Sequence, residues 1–237
     1  MENEELNKII NEEPKKKKSK IGIIIITISL MLVIGIIGTI IFAVIDNANS
    51  VMYDVAKPII YLYPTEETEV SVKLGNSEKI TCSYPKYVDG WNVIAKPDGT
   101  LTYTETGREL YSLYWEGKDA NAKVNTEEGF VVRGEDTVSF LEEKLEILGL
   151  NSKEAEEFII YWLPKMESNK YNYIRFATME EIEEYMPLEV NPTPDTVIRI
   201  LMEFKGLDEY IEVKEQKLEK AKRSGFAVVE WGGTEIK

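Results

Sequence analysis

The chain has 237 residues, with 28 Lys and Arg against 42 Asp and Glu, no His, one Cys and a formal net charge of −14. Without His there is no Ser-His-Asp or Cys-His nucleophile system, no His general base and no imidazole metal ligand. The lone Cys excludes an internal disulfide, a thiolate zinc cluster and a CxxC redox pair, and so acidic a chain is a poor partner for nucleic acid, whose phosphates need clustered Lys and Arg.

Residues 1–20 carry six Lys and five Glu; they are too short and too charged to bury a core and read as a disordered tail. From Ile21 to Ile45 there are 25 consecutive uncharged residues, 12 of them Ile. As a helix this stretch is about 37 Å long at about 1.5 Å per residue, enough to cross a bilayer core of about 30 Å with some tilt. Lys15, Lys16, Lys17, Lys18 and Lys20 precede it, whereas Asp46 follows it. The positive-inside bias then predicts a cytoplasmic N-terminus and an outer C-terminal part. A cleavable signal peptide competes, but its apolar core spans only about 7–15 residues and Ala48-Asn49-Ser50 is a feeble cleavage site. Gly35, Thr39 and Ala43 recur every four residues, a small-xxx-small ridge through which two membrane helices could associate. Residues 46–56 read as a short stalk, with ordered structure expected from Lys57-Pro58.

Residues 57–237 suffice for one well-buried domain, or for a β-rich part 57–134 and a mixed part 135–237. Ile59, Tyr61 and Tyr63 alternate with Ile60 and Leu62, as in a strand covered on both faces. Val70, Val72 and Leu74, then Ile80, Cys82 and Tyr84, alternate with polar residues as in half-buried strands. This parity makes Cys82 a buried, inert thiol. Trp91, Val93 and Ala95 lead into the turn Pro97-Asp98-Gly99, and Leu101, Tyr103 and the stretch 110–115 continue the antiparallel pattern.

Helices are expected next. Asp136 is placed as an N-cap before Val138, Leu141, Leu145 and Leu148 on one face, with Gly149 as the stop. Asn151 and Glu154 have capping-box spacing before Ala155, Phe158, Ile159 and Trp162, and Pro164 is read as the end of that helix. A strand over 171–176, a short helix over 178–185, and strands over 197–204, 211–213 and 226–231 complete the pattern. The predicted class is α+β: a transmembrane helix, then a mainly antiparallel β domain with a packed helical hairpin.

Lys57-Pro58-Ile59-Ile60-Tyr61-Leu62-Tyr63-Pro64, the run Tyr84 to Trp91, Gly129 to Thr137, Tyr161-Trp162-Leu163-Pro164, and Val228-Val229-Glu230-Trp231-Gly232-Gly233 stand in this order along the chain. Together these blocks resemble an uncharacterised, mainly bacterial family. The resemblance implies a domain covering nearly all of 57–237 and nothing catalytic.

The usable chemistry is carboxylate, Tyr, Arg and Trp. Glu230 shares strand parity with Phe226 and Val228, so it is expected at a rim or partly buried, where desolvation raises a carboxyl pKa. Glu116 is the second candidate, within Tyr114-Trp115-Glu116-Gly117. Two carboxylates beside Trp and Tyr suit sugar chemistry, one as acid and one as nucleophile or base. Trp231, Trp115, Tyr114 and Arg199 are the binding candidates, because aromatic faces stack on sugar rings. The structural alternative is an ion pair of Glu230 with Arg199, Arg175 or Arg133. No metal ligand set, Gly-rich phosphate loop or cofactor motif stands out. The expectation is a single-pass, membrane-anchored outer domain that binds a glycan or protein ligand, with a carboxylate-dependent glycan hydrolase as the alternative.

Overall fold

The computed structural model describes residues 28–38, 52–121 and 128–236, and the chain divides into two compact units, Met1–Ser50 and Val51–Lys237. In the first unit residues 28–38 are helical, with every side chain exposed. Among the described residues, no helix is long and apolar enough to cross a membrane. The tail 1–20, the remainder of the expected span 21–45, and with it Thr39 and Ala43, lie outside the described residues. Gly35 lies within them, with open space where a Cβ would stand.

The second unit is α+β with mostly antiparallel sheets. Its strands are β1 (Met52–Tyr63), β2 (Thr68–Leu74), β3 (Ile80–Tyr84), β4 (Trp91–Ala95), β5 (Leu101–Tyr103), β6 (Glu109–Leu110), β7 (Leu113–Asn121), β8 (Glu128–Arg133), β9 (Tyr171–Phe176), β10 (Leu188–Asn191), β11 (Thr196–Leu207), β12 (Lys214–Glu215) and β13 (Ala227–Glu235). Its helices are α1 (Thr137–Ile147), α2 (Ser152–Met166) and α3 (Met179–Tyr185). Eight strands form one sheet in the order β12-β8-β9-β11-β13-β1-β7-β3, and five form a second, β10-β2-β4-β5-β6. The expected boundary at 134/135 does not divide this unit, because the large sheet takes strands from both sides of it.

Two cores share the large sheet. On one face Ile60, Leu62, Leu113, Trp115 and Val228 pack against Val70, Val72, Trp91 and Val93 of the small sheet. On the other face Ile59, Tyr61, Ile200, Val229 and Trp231 pack against Leu141, Leu145, Phe158 and Trp162 of the helical hairpin. The period-2 alternation of β1 and β13 is therefore that of strands buried on both sides, and each large apolar side chain so buried contributes about 1.5–3 kcal/mol. Asn151 and Glu154 form the capping box that their spacing predicts, and Thr178 with Glu181 forms a second at the start of α3.

Six expectations are corrected. β1 begins at Met52, within the expected stalk, and Tyr53 and Val55 are buried. Cys82 is exposed; its strand β3 is the edge strand of the large sheet. Asp136 makes no side-chain cap; a 3-10 turn over Gly134–Asp136 leads into α1 instead. Val138 is exposed rather than part of the buried stripe. Pro164 lies inside α2, which continues to Met166; its ring removes one N–H donor and crowds the Ile160 carbonyl, and the helix runs only two residues further. The strand expected over 211–213 is absent, and β12 follows it at Lys214–Glu215.

Candidate functional site

Glu230 is the natural starting point. β13 runs parallel to β11, with Glu230 beside Arg199. Arg199 Nε donates to Glu230 Oε2 at 2.5 Å, and Trp115 Nε1 donates to Glu230 Oε1 at 2.8 Å. Arg199 also reaches α3, through Nη1 to Glu183 Oε1 at 2.5 Å and to the Met186 carbonyl at 2.9 Å. Burial opposes the charge on Arg199, but the attraction of Glu230 and Glu183 outweighs it and holds the guanidinium above its usual value. The cavity beside Glu230 measures about 10 Å³. That is the lower bound for a single water and far too small for a sugar.

A second arginine repeats the pattern one step along the sheet. Arg175 donates to Glu203 Oε2 at 3.0 Å and to both carboxylate oxygens of Glu181 at 2.8 Å. Glu203, 2% exposed, is pushed up to about 7 by burial, against the pull of Arg175. Burial also pushes the better solvated Glu181 up, but hydrogen bonds from the Thr178 backbone N–H and Arg175 outweigh it and leave Glu181 below its usual value. Thus α3, a helix of only seven residues, is clamped to the sheet by two Glu–Arg–Glu triads. Desolvation offsets much of the attraction in such buried triads, so they add less stability than their contacts suggest.

The remaining sequence candidates do not assemble around Glu230. Ile60 pairs with both Glu230 and Leu113, which puts Leu113 and Trp115 on the face of Glu230. Tyr114 and Glu116 have the opposite parity and lie on the helix-side face. The two carboxylates proposed as an acid and nucleophile pair are therefore separated by the sheet. Trp231 also faces the helices, fully buried, and Trp115 is sealed inside the other core. Among the described residues no group of three or more His, Cys, Asp or Glu could hold a metal ion.

The helix-side face holds a different cluster, a tyrosine shelf where β1, β7 and β3 run out beside α2. Tyr61 and Tyr63 stack with ring centroids 6.3 Å apart, and Tyr111 lies 6.5 Å from Tyr61. Tyr84 pairs across the strands with Tyr114. Lys57 Nζ stands over both the Tyr114 and the Tyr161 rings, at 5.5 and 5.6 Å. Carboxylates hold the phenols in place: Tyr61 donates to Glu157 Oε2 at 2.6 Å and Tyr63 to Glu154 Oε1 at 2.7 Å. Burial first, and these carboxylates second, push both phenols well above the ordinary tyrosine value. Tyr84 and Tyr111 instead leave about half their surface in solvent, at 48% and 51% exposed.

Sequence reasoning put only Tyr114 of this shelf among its candidates. Available signals were the 13 Tyr in the chain, the shared parity of Tyr61 and Tyr63, and the i,i+4 spacing of Glu157 and Tyr161 on α2. No family model, no curated protein and no solved structure matches the chain.

Proposed function

We propose that this chain is a single-pass membrane protein, with its N-terminus cytoplasmic and the unit from Val51 onward outside, and that the unit is a binding domain for glycans at the cell surface. The anchor rests on the 25 uncharged residues from Ile21 to Ile45 and the lysines before them. The observation that carries the binding reading is the tyrosine shelf. Its inner rings are locked by Glu157, Glu154 and Lys57, while Tyr84, whose hydroxyl accepts from Arg108, and Tyr111, with Lys153 over its ring, stay half exposed. Rigid aromatic faces flanked by carboxylate acceptors match the apolar face and hydroxyl edge of a sugar ring. The hydrolase alternative requires two carboxylates on one side of a cleft, and the opposite parity of Glu116 and Glu230 favours binding over hydrolysis.

The test is a glycan-array screen of the full chain in lipid nanodiscs, comparing wild type with Tyr84→Ala and Tyr111→Ala. Glycan binding that falls about tenfold in the variants, with unfolding midpoints unchanged, is the expected result. Glycan binding indifferent to both substitutions, or its absence in the wild type, overturns the assignment. Labelling of Cys82 on intact cells by a membrane-impermeant maleimide tests the orientation. An unlabelled Cys82 that reacts after cell lysis puts the domain inside.

A further inference from the structure

α1 and α2 form an antiparallel hairpin whose inner faces cover the large sheet. Between them, on the outer side, lies a groove of about 640 Å³. Leu150, Ala155 and Ile159 line it, and Ile160 at its side is 66% exposed. Every charged residue lining it is acidic: Glu142 and Glu146 from α1, and Glu156 from α2. This flank of α2 is distinct from the one that carries Glu157 and Tyr161, which lie about 100° further round the helix.

The two glutamates of α1 are badly placed for the stability of this chain alone. Glu142 and Glu146 are four residues apart on the same face and repel one another. Glu146 also lies in the last turn of α1, where the helix dipole is negative and favours cations. An acidic margin that opposes its own helix, beside an exposed isoleucine in a groove, has a simple physical complement. We propose that the groove docks an amphipathic helix of a partner protein, with aliphatic residues on its buried face and Lys or Arg along its edges. An aliphatic stripe fills the space over Leu150, Ala155 and Ile159, and edge cations relieve both repulsions at once.

Other occupants fit the chemistry less well. Anionic lipid headgroups meet three glutamates of like charge. A second copy of this chain, docked groove to groove about a two-fold axis, sets acidic margin against acidic margin. Residues 15–20 of this chain are basic but include no apolar side chain to fill the groove.

The experiment measures fluorescence anisotropy of a labelled leucine–lysine peptide of about four helical turns, titrated with the full chain in neutral detergent. Detergent alone supplies the background. Saturable binding is expected, about tenfold weaker for Ile160→Glu and for the double variant Glu142→Lys/Glu146→Lys, and unchanged for Ile211→Glu, an exposed apolar position elsewhere. Loss from Glu142→Lys/Glu146→Lys without loss from Ile160→Glu means that the peptide merely senses an acidic surface. Equal losses from Ile160→Glu and Ile211→Glu, or no loss from either groove variant, mean that it does not sit in the groove. In each case the proposal falls. It falls too if light scattering shows a dimer of the full chain that Ile160→Glu dissolves, because the occupant is then a second copy. Neither groove variant touches the tyrosine shelf, so its failure and that of the glycan reading are separable.

Discussion

Arg199 and Glu230 are lateral neighbours in the parallel register of β11 and β13, and their side chains meet at 2.5 Å in the space between the two sheets. A charge at each position would be untenable alone. Together with Trp115 and Glu183 they make a polar knot that fixes where α3 sits.

Breaking that knot from one side leaves a buried charge unpaired. Glu230→Ala or Arg199→Leu should each lower unfolding free energy by about 3–5 kcal/mol, read from urea denaturation of the purified chain. The double variant Arg199→Met/Glu230→Leu should recover most of the loss, because no buried charge remains and Glu183, its side chain 41% exposed, can turn to water. A double variant as unstable as the sum of the singles would show that the pair itself, and not the orphaned charge, carries the energy.

Glu203 makes stability depend on pH. Its folded value of about 7 lies above the ordinary 4.5, so the folded state holds the proton more tightly than the unfolded chain. Its contribution is complete below 4.5 and is lost as the pH rises through about 7. Glu181 acts in the opposite sense: its lowered value makes its contribution present above its ordinary value and lost as the pH falls below it. The variant Glu203→Gln should flatten the decline between those limits and exceed wild-type stability on the alkaline side by up to roughly 3 kcal/mol. Denaturation midpoints across the window check this; a slope identical to wild type would remove Glu203 as its source.

Arg223 holds the helical hairpin from outside. Its Nε donates to the Gly149 carbonyl at 2.8 Å, and its Nη1 and Nη2 both reach the carboxylate of Glu154, which is completely buried. Replacing it by Ala strips a buried carboxylate of its only arginine and should cost about 2–4 kcal/mol. Arg223→Lys should recover little, since one ammonium cannot serve the carboxylate and the carbonyl with the same fork. Thermal unfolding distinguishes these outcomes, and near-equality of Lys and wild type would argue for simple charge attraction.

Cys82 is exposed on the edge strand. It should react with one equivalent of a fluorescent maleimide in the native state, with no denaturant needed. Protection until the domain unfolds would mean that this edge is covered.

Local patterns in the chain were strong guides wherever the physics is local. Alternation along β13 places Glu230 with Phe226 and Val228, and the two capping boxes mark the starts of α2 and α3 because a side chain three residues away satisfies the orphan N–H groups. The same parity argument misplaced Cys82, because alternation tells which residues share a face and not whether anything covers it. Cys82, on the edge strand of the large sheet, is exposed.

By itself the sequence determined the uncharged run 21–45, the absence of His chemistry, the α+β class of residues 57–237, and a short menu of arginines for Glu230. Only the tertiary structure selected Arg199 from Arg199, Arg175 and Arg133, since strand order places β11 directly beside β13. It also separated Glu116 from Glu230 across one sheet and gathered Tyr61, Tyr84, Tyr111, Tyr114 and Tyr161 from three strands, a connecting loop and a helix onto one shelf. Side-chain parity is inherited from the covalent chain at a period of two. The order of strands in a sheet, and which layer covers each face, depend on contacts between residues far apart in sequence, and no local pattern encodes them.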